Sequence, residues 1–345
     1  MARTVGIKDV ARHAGVSVGT VSNVINRPDL VSADTRFRVE SAISNLGYVR
    51  SESARQLRAG RSRVLALLVL DMGNPFFVEV ARGAEKAARE HNLIVMLSNS
   101  GQDQNQENLY LAHFAEQQVL GVLFSPIDGV HADMTKLRRG GVPVVWVDRG
   151  AAIADGCSVA VDDVLGGTMA TRHLIDQGHS RIAFVGGPTT LHQVANRLDG
   201  ARQAVAEAGL PPASITMVET PRLDIAAGKD AGQRLLGLPS RPTAVFCAND
   251  LLALGLEQAL YAAGVKVPEE VAIVGYDDIE FASAAAVPLT SVRQPAAEMG
   301  RLAAQMLLAE AEAAGEGEGE TGHEHRAVVL QPELVVRTSS LHRVG

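Results

Sequence analysis

The sequence predicts an all-α helix-turn-helix head followed by an α/β body that contains two doubly wound subdomains. Short, capped helical segments fill residues 1–50, and the first residues are markedly basic. From residue 63 onward, apolar strand-like runs alternate with helical segments, which is typical of parallel sheets covered by helices. These runs number about ten, which favours two doubly wound subdomains over a single sheet.

Three helices are predicted in the head. The first covers Ile7–Ala14, and the second is capped by Ser17 and runs to about Asn26. The third is capped by Ser32 and ends at Gly47. Two short helices joined by a glycine-containing turn, and braced by a third, form the arrangement that places the second helix in the major groove of DNA.

The charge distribution supports a nucleic-acid-binding head. The chain has 345 residues and a formal net charge of -7, yet residues 1–63 hold 11 Lys and Arg against 5 Asp and Glu. A basic head on an acidic body is expected when only the head contacts DNA. No secretory signal is visible, and no apolar run approaches the ~20 residues of a membrane span, so a cytoplasmic protein is expected. Residues 51–62 are basic and too short for a stable isolated helix, which predicts a hinge that orders conditionally.

The body is predicted to bury its strands in two subdomains. The first comprises about residues 63–162 plus 293–325, and the second about 163–292 plus 326–345. The strand-like runs are Val64–Leu70, Leu93–Leu97, Val119–Phe124, Val142–Val147, Val159–Val161, Ile182–Val185, Ile215–Val218, Ala244–Cys247 and Val271–Val274.

No cofactor and no metal site is predicted. Cys157 and Cys247 lie in apolar segments without metal-ligand spacing, which is typical of small buried side chains. The residues 315–325 are rich in Glu and Gly, so His323 and His325 are expected to be solvated loop residues.

The second helix of the head offers side chains suited to DNA. Its outward positions are Val18, Gly19, Thr20, Ser22 and Asn23. Small hydroxyl groups suit phosphates, an Asn side chain can pair with adenine, and a Val side chain can contact a thymine methyl group. Spacing alone leaves a generic three-helix scaffold with exposed polar residues as an alternative.

Longer motifs add a family resemblance. Residues 7–26 (IKDVARHAGVSVGTVSNVIN) resemble the headpiece of the lactose/galactose-repressor family, and VSADTR at 31–36 follows at that family's spacing. The resemblance continues through NPFF at 74–77, AND at 248–250 and GYDD at 275–278, and so covers essentially the whole chain. It implies a body of the periplasmic-binding-protein type, with two lobes around a ligand cleft.

The resemblance also implies roles in DNA binding. Val18, Gly19 and Asn23 fall where the family reads bases, and Leu57 falls on the hinge leucine that wedges into the minor groove. Asn23 stands where relatives often have Arg, which predicts adenine in place of guanine; Gly6, where relatives often have Thr, offers no hydroxyl to a phosphate. The expected contacts are Ser17, Val18, Gly19, Thr20, Ser22, Asn23, Asn26, Ser32, Thr35, Ala54 and Leu57.

Candidate effector contacts lie at strand ends, where open α/β sheets bind ligands, with an arginine placed by the family pattern. They are Phe76, Phe77, Asp148, Asp162, Arg197, Asn249, Asp277 and Gln294. Carboxylates, amides and Arg hold sugar hydroxyls well, so a sugar is expected. Leu223 stands where relatives often place a stacking aromatic ring, so the identity of the sugar does not follow.

The expected function is that of a homodimeric repressor that binds a pseudo-palindromic operator and releases it when a sugar binds. Co-repression is the alternative within the same scheme. A transport-type sugar-binding protein would lack the head and need an export signal. An enzyme is a further alternative, but no nucleophile elbow, phosphate loop or metal triplet is present. The pairs Gly166–Gly167 and Gly186–Gly187 are explained as turns.

Overall fold

The computed structural model describes residues 5–49, 62–127, 132–150, 156–315 and 323–341. The chain divides into two compact units, residues 1–62 and 63–345, and each has its own hydrophobic core. The hinge residues Ala54 and Leu57 lie outside the described residues.

The described part of the first unit contains three α-helices: α1 (Ile7–Ala14), α2 (Val18–Asn26) and α3 (Ala33–Leu46). Val10, Val21 and Val39, one from each helix, are fully buried where the helices meet. Apolar side chains recur at helical spacing and are covered by the neighbouring helices, which is how a unit this small buries a core.

Caps fix where these helices begin and end. The Ser17 hydroxyl accepts a hydrogen bond from the Thr20 backbone N–H at 3.0 Å, and the Ser32 hydroxyl accepts one from the Thr35 N–H at 3.4 Å. Such caps contribute ~1 kcal/mol each. Gly15 ends α1 in the left-handed conformation, with φ of 66°, which sets the turn into α2.

The second unit is built on two sheets, each six-stranded within the described residues. The strands are β1 (Val64–Val69), β2 (Ile94–Asn99), β3 (Gly121–Phe124), β4 (Val144–Val147), β5 (Ser158–Val161), β6 (Ile182–Gly186), β7 (Ile215–Glu219), β8 (Ala244–Cys247), β9 (Ala272–Asp277), β10 (Thr290–Arg293), β11 (Ala327–Leu330) and β12 (Glu333–Val335). The first sheet has the order β11-β5-β4-β3-β1-β2 and is parallel throughout. The second has the order β12-β10-β9-β8-β6-β7, with β12 antiparallel to β10.

Helices cover both sheets. They are α4 (Pro75–Glu90), α5 (Gln104–Glu116), α6 (Ala132–Arg139), α7 (Asp163–Asp176), α8 (His192–Glu207), α9 (Ile225–Leu236), α10 (Asp250–Ala262), α11 (Glu280–Ala284) and α12 (Ala296–Gly315). We call residues 63–161 with α12 and β11 the first lobe, and residues 162–293 with β12 the second lobe. Leu65–Val69 of β1 are buried throughout, as expected for a strand covered on both faces.

The lobe boundaries differ from those read from the sequence. Residues 326–345 were expected in the second lobe, but β11 pairs in parallel with β5 of the first sheet, with Ala327 opposite Ser158. The chain therefore crosses back after Leu330, and Arg293 still belongs to the second sheet. The edge strand β11 reads AVVL and alternates between exposed and half-buried residues. Its sequence is apolar but does not show which of the two sheets the strand joins.

Candidate DNA-reading helix and effector cleft

Helix α2 presents an exposed polar face. Ser17, Val18, Gly19, Asn23 and Asn26 are exposed, whereas Val21 and Val24 on the opposite side are buried. Gly19 and Asn23 lie four residues apart and therefore share one side of the helix. The solvent-facing side thus holds small, uncharged groups that fit close to base edges.

Hydrogen bonds within the head orient several of the predicted contacts. The Ser17 and Thr20 hydroxyls lie 2.9 Å apart at the start of α2. The Asn26 amide donates to the Ser22 carbonyl at 2.7 Å. Ser32 donates to the Thr35 hydroxyl at 3.0 Å at the start of α3. The contacts at Ser17 and Ser32 hold polar side chains at two helix N-termini, which are favourable positions for phosphates.

A cleft between the two lobes gathers most of the predicted effector residues. Its lining is Leu70, Asp71, Asn74, Phe76, Phe77, Gln102, Asp148, Leu191, Gln193, Arg197, Leu223, Asn249, Asp277 and Gln294. Seven of the eight candidate effector residues are in this set, and Asp162 is not. Most of the lining residues lie at or after the carboxyl ends of β1, β4, β6, β8 and β9, where parallel sheets leave a crevice for a ligand.

Arg197 is held rigidly in the floor of this cleft. Its Nε donates to Asp163 at 2.8 Å, and its Nη1 donates to the Ala248 carbonyl at 2.7 Å. Its guanidinium lies 3.7 Å from the centre of the Tyr276 ring. Burial disfavours its charge, yet Asp163 and the other neighbouring groups raise its pKa above the ordinary value. Arg197 is therefore a fixed cation, pre-oriented for a polar ligand.

Two glycines allow the helices around Arg197 to pack closely. The Gly166–Gly167 pair, expected at a turn, lies inside α7 instead. A Cβ at Gly167 would collide with the carbonyl oxygen of Arg197, and one at Gly166 would collide with Tyr276. The glycines thus let α7 approach α8 and set the position of the Arg197 backbone. Gly187 follows β6 with φ of 148°, as a turn residue would.

Asp277 connects the lobes. Its Oδ2 accepts a hydrogen bond from Asn74 of the first lobe at 2.8 Å, and its Oδ1 accepts one from Gln294 at 2.7 Å. Arg197 Nη1 lies 3.9 Å from Oδ1. Burial raises the pKa of Asp277 above its ordinary value, although Arg197 and the two amides act in the opposite direction. Asp277 therefore receives donors from both sides of the cleft.

Asp148 extends from the first lobe toward the second. It follows β4 with a left-handed φ of 60°, and its Oδ2 accepts a hydrogen bond from Gln193 at 3.4 Å. Burial, with Asp163 and Asp277 nearby, raises its pKa well above the ordinary value, and Arg197 lowers it. Asp148 Oδ1 and Gln294 Oε1 are buried without a hydrogen-bond partner among the described residues. Both atoms can accept hydrogen bonds from a ligand's hydroxyl groups.

Two predicted residues cap helices, with different consequences. Asn249 caps α10 by accepting from the Leu252 N–H at 2.9 Å, and its amide donates to the Leu223 carbonyl at 3.0 Å, so it stays at the cleft. Asp162 caps α7 by accepting from the Leu165 N–H at 2.9 Å and does not line the cleft. The structure thus does not bring Asp162 into the cleft lining, and its carboxylate is used by the helix.

Among the residues that were not predicted as effector contacts, Gln193, Asn74 and Asp163 make the hydrogen bonds that hold the site together. Gln193 precedes Arg197 by four residues on α8, a spacing that places both on one face and could have revealed it. Asn74 belongs to the NPFF motif, but its partner Asp277 lies 203 residues away, so no local pattern indicates the contact. Asp163, the partner of Arg197, gave no signal distinct from that of Asp162.

Family comparisons agree with this architecture. Residues 6–51 match the model of "Bacterial regulatory proteins, lacI family", and residues 171–340 match "Periplasmic binding protein-like domain". The chain is 38% identical to the ribose operon repressor of Escherichia coli (strain K12) over 303 residues, 88% of this chain and 92% of that protein. It is 33% identical to the HTH-type transcriptional repressor PurR of Photobacterium profundum over 335 residues, covering 96% of this chain and 98% of that protein.

Solved structures show the same fold. A transcriptional regulator CelR–cellobiose complex is 34% identical, with a TM-score of 0.71, and the match covers 97% of this chain and 99% of that one. A Lac repressor dimer bound to operator and the anti-inducer ONPF is 25% identical, with a TM-score of 0.80, covering 99% and 100%. A LacI family regulator from Enterococcus faecium with bound ribose is 28% identical, with a TM-score of 0.72, covering 80% and 98%.

A helix-turn-helix head joined to a two-lobed binding body defines a DNA-binding regulator that senses a small molecule. The chain belongs to the lacI family of bacterial regulatory proteins. This confirms the predicted fold class and the prediction of a transcriptional regulator. The relatives are repressors and not enzymes, so the enzyme and transport alternatives are set aside. In the described part of the chain, no helix has both the length and the apolar character needed to cross a membrane.

Proposed function

We propose that this chain is a homodimeric repressor whose operator affinity is controlled by a neutral sugar bound between the lobes. The observation that carries the proposal is the buried cleft in which Arg197, Asp148 and Asp277 converge. Relatives named for ribose and cellobiose support the ligand class. As a DNA-binding regulator, it acts in the cytoplasm.

The charges of the cleft favour a neutral ligand that is rich in hydroxyl groups. Three carboxylates, those of Asp148, Asp163 and Asp277, are buried near a single guanidinium, that of Arg197. Arg197 is the one cation among the described lining residues, and it is already paired with Asp163 at 2.8 Å and lies 3.9 Å from Asp277, so a phosphate or carboxylate on the ligand would have to compete for it. Sugar hydroxyls can instead donate to the unpaired acceptors Asp148 Oδ1 and Gln294 Oε1.

The remaining lining groups complete a sugar site. Phe76 and Phe77 are buried at the start of α4, with ring centres 5.0 Å apart. Their rings offer an apolar surface to the C–H groups of a sugar. Asn249 adds an amide that is already fixed by helix α10. Leu223 supplies an apolar wall on the second lobe, so ring stacking comes from the first lobe alone.

For the DNA complex, we propose that two heads bind the halves of a pseudo-palindrome. A two-fold symmetric protein matches a two-fold symmetric site. Val18, Gly19 and Asn23 read bases in each half, and the helix N-termini at Ser17 and Ser32 contact phosphates. In the hinge, Ala54 and Leu57 face the minor groove, where the leucine wedges between base pairs at the operator centre.

The decisive experiment is operator selection followed by a ligand panel. Sites enriched from a random duplex pool by the purified chain should form a pseudo-palindrome, with adenine at the base facing Asn23. Binding to that operator is then measured by fluorescence anisotropy with ribose, cellobiose, other neutral sugars, sugar phosphates and nucleobases. We expect one neutral sugar to weaken operator binding by at least ~5-fold, as typical allosteric coupling does.

Each outcome separates part of the proposal. Recovery of no palindromic site would refute the operator model. If only a nucleobase or a sugar phosphate changes operator affinity, the neutral-sugar assignment is wrong while the regulator assignment stands. If a sugar strengthens operator binding, it acts as a co-repressor and the expected induction is refuted. An Arg197→Met variant should bind the operator and lose the sugar response, and His91→Ala, altered at an exposed residue after α4, serves as its control.

A further inference from the structure

Four side chains with metal-binding groups meet in the first lobe, away from the effector cleft. They are Cys157, Glu310, His323 and His325, and their ligand atoms all lie within 4.8 Å of one another. Cys157 directly precedes β5, Glu310 lies in α12, and the two histidines precede β11. Because β5 and β11 run in parallel, this cluster lies at the amino ends of the strands, opposite the edge that forms the effector site.

This arrangement corrects two expectations from the sequence. Cys157 was interpreted as a simple apolar side chain, but its Sγ lies 3.1 Å from His323 Nε2 and 3.7 Å from His325 Nδ1. The histidines were expected to be solvated, yet the His323 side chain is only 18% exposed and that of His325 34%. The chain therefore brings together residues that are more than 160 positions apart.

We propose that these four residues form a zinc site that holds β11, and the residues 323–326 that precede it, against the first sheet. Cysteine sulfur, histidine nitrogen and glutamate oxygen are the ligands that Zn²⁺ uses in proteins, and four protein ligands are typical of a closed structural site. A tetrahedral ion with metal–ligand distances of ~2.0–2.3 Å places its ligand atoms ~3.3–3.7 Å apart. Four of the six separations, 3.1, 3.7, 4.0 and 3.9 Å, lie within about half an ångström of that geometry, and all six are within 4.8 Å.

The Glu310 carboxylate is the second observation that points to a cation. Its Oε2 is buried and has no hydrogen-bond partner among the described residues, while it lies 4.0 Å from His323 Nε2 and 3.9 Å from His325 Nδ1. A buried carboxylate oxygen without a donor is costly unless a cation or a proton compensates it. A metal ion between the four groups supplies that compensation.

Neighbouring positive and hydrogen-bond-donating groups face the cluster. The Arg326 backbone N–H points at Cys157 Sγ at 3.4 Å, a contact that stabilises a thiolate. With a thiolate and a carboxylate as ligands, a divalent ion gives a neutral centre beside the positive charges of Arg138 and Arg326.

The role that follows is structural. β11 is the edge strand of the first sheet and pairs only with β5 among the described strands. A metal ion would join the residue before β5, the residues before β11 and helix α12 at one point. Such a link restrains the chain just ahead of the crossing to the second lobe, after Leu330.

The test uses the full-length protein, stripped with a chelator and titrated with ZnCl₂ or CoCl₂. We expect one equivalent of zinc per chain by elemental analysis after desalting, and a zinc-dependent rise in melting temperature. Cobalt should give the strong visible bands of a tetrahedral centre together with a thiolate-to-cobalt charge-transfer band. Cys157→Ser and His323→Ala should each weaken binding by at least ~100-fold, the upper end of the loss seen on changing an outer-shell residue.

A matched control exists in an exposed His–Glu pair. His113 lies 3.3 Å from Glu116 on α5, and His113→Ala should bind zinc within twofold of the unaltered chain. The proposal is overturned if the stripped chain takes up less than a half equivalent of zinc, or if cobalt gives an octahedral spectrum without the thiolate band. It is also overturned if Cys157→Ser and His323→Ala retain full affinity. Should a variant fail to fold, the cobalt spectrum of the unaltered chain decides.

Discussion

A substitution at Asn74 can remove a hydrogen bond between the two lobes with little disturbance to either lobe. Its Oδ1 accepts from the Phe76 N–H at 3.0 Å and caps α4, while its Nδ2 donates to Asp277 Oδ2 at 2.8 Å across the cleft. In Asn74→Ser, the hydroxyl can still cap the helix, because serine is a good N-cap residue. The shorter side chain cannot reach Asp277, so the variant removes the bridge alone.

The size of the expected effect follows from the charge of Asp277, to which Asn74 donates a hydrogen bond. A hydrogen bond to a charged group contributes ~1.5–3 kcal/mol, which is about a 10- to 150-fold change in an equilibrium constant. Asp277 keeps Gln294 at 2.7 Å, so the fold of the second lobe should survive. We therefore expect the ratio of molecules with closed lobes to molecules with open lobes to fall by about tenfold or more. The affinity for an effector that binds the closed arrangement should fall by the same factor.

Pulsed electron paramagnetic resonance measures the distance between two spin labels, one in each lobe, and so reports lobe closure directly. Ile94 of β2 and Tyr261 of α10 are exposed, in different lobes, and suit labelling after substitution by cysteine. The control is Asp103→Ser, which alters the cap of α5 within the first lobe. If Asn74→Ser and Asp103→Ser give the same distance distribution and the same effector affinity, the bridge does not govern lobe closure and the argument fails.

Three other substitutions test separate parts of the molecule. Burial raises the pKa of Asp148 well above 3.8, so the folded state holds its proton more tightly than the unfolded state does. The free energy of unfolding therefore falls as pH rises from the unfolded-state pKa to the folded-state pKa. Asp148→Asn should flatten this fall and raise the melting temperature at neutral pH, while abolishing the sugar response. Asp162→Ser, which keeps a capping oxygen, should retain the full sugar response in the operator assay, and a loss would return Asp162 to the binding site. Asn23→Arg should shift the selected base from adenine to guanine, and unchanged selection would show that Asn23 does not read that base.

The elements that sequence reasoning predicted best are those with local physical causes. The head helices were predicted because Ser17, Gly15 and Ser32 mark their ends through caps that act over three or four residues. The strands were predicted because parallel strands buried on both faces read as continuous apolar runs. The edge strand β11, AVVL, is apolar as well, but its sequence does not show which sheet it joins, which is why the lobe boundary was misplaced.

Whether a residue contributes to the site depends on the direction of its side chain, and this direction changes from one residue to the next along a helix. Asp162 and Asp163 are adjacent acids at the start of α7, and a rotation of ~100° per residue sends one to the helix cap and the other to Arg197. A strand-end argument cannot tell them apart. The cluster at Cys157 and His323 was not predicted for another reason: its members meet only through the pairing of β5 with β11.

The contacts that hold the lobes together also define what an effector must provide. Asp277 receives its donor from Asn74, and Asp148 receives one from Gln193, in each case across the cleft. A sugar that enters must leave these acceptors satisfied and add donors for Asp148 Oδ1 and Gln294 Oε1, which lack them among the described residues. Its affinity is therefore a difference between new hydrogen bonds and those that it displaces. Because an unpaired buried acceptor costs ~1–3 kcal/mol, we expect the cleft to discriminate among sugars by the position of one or two hydroxyl groups more than by their size.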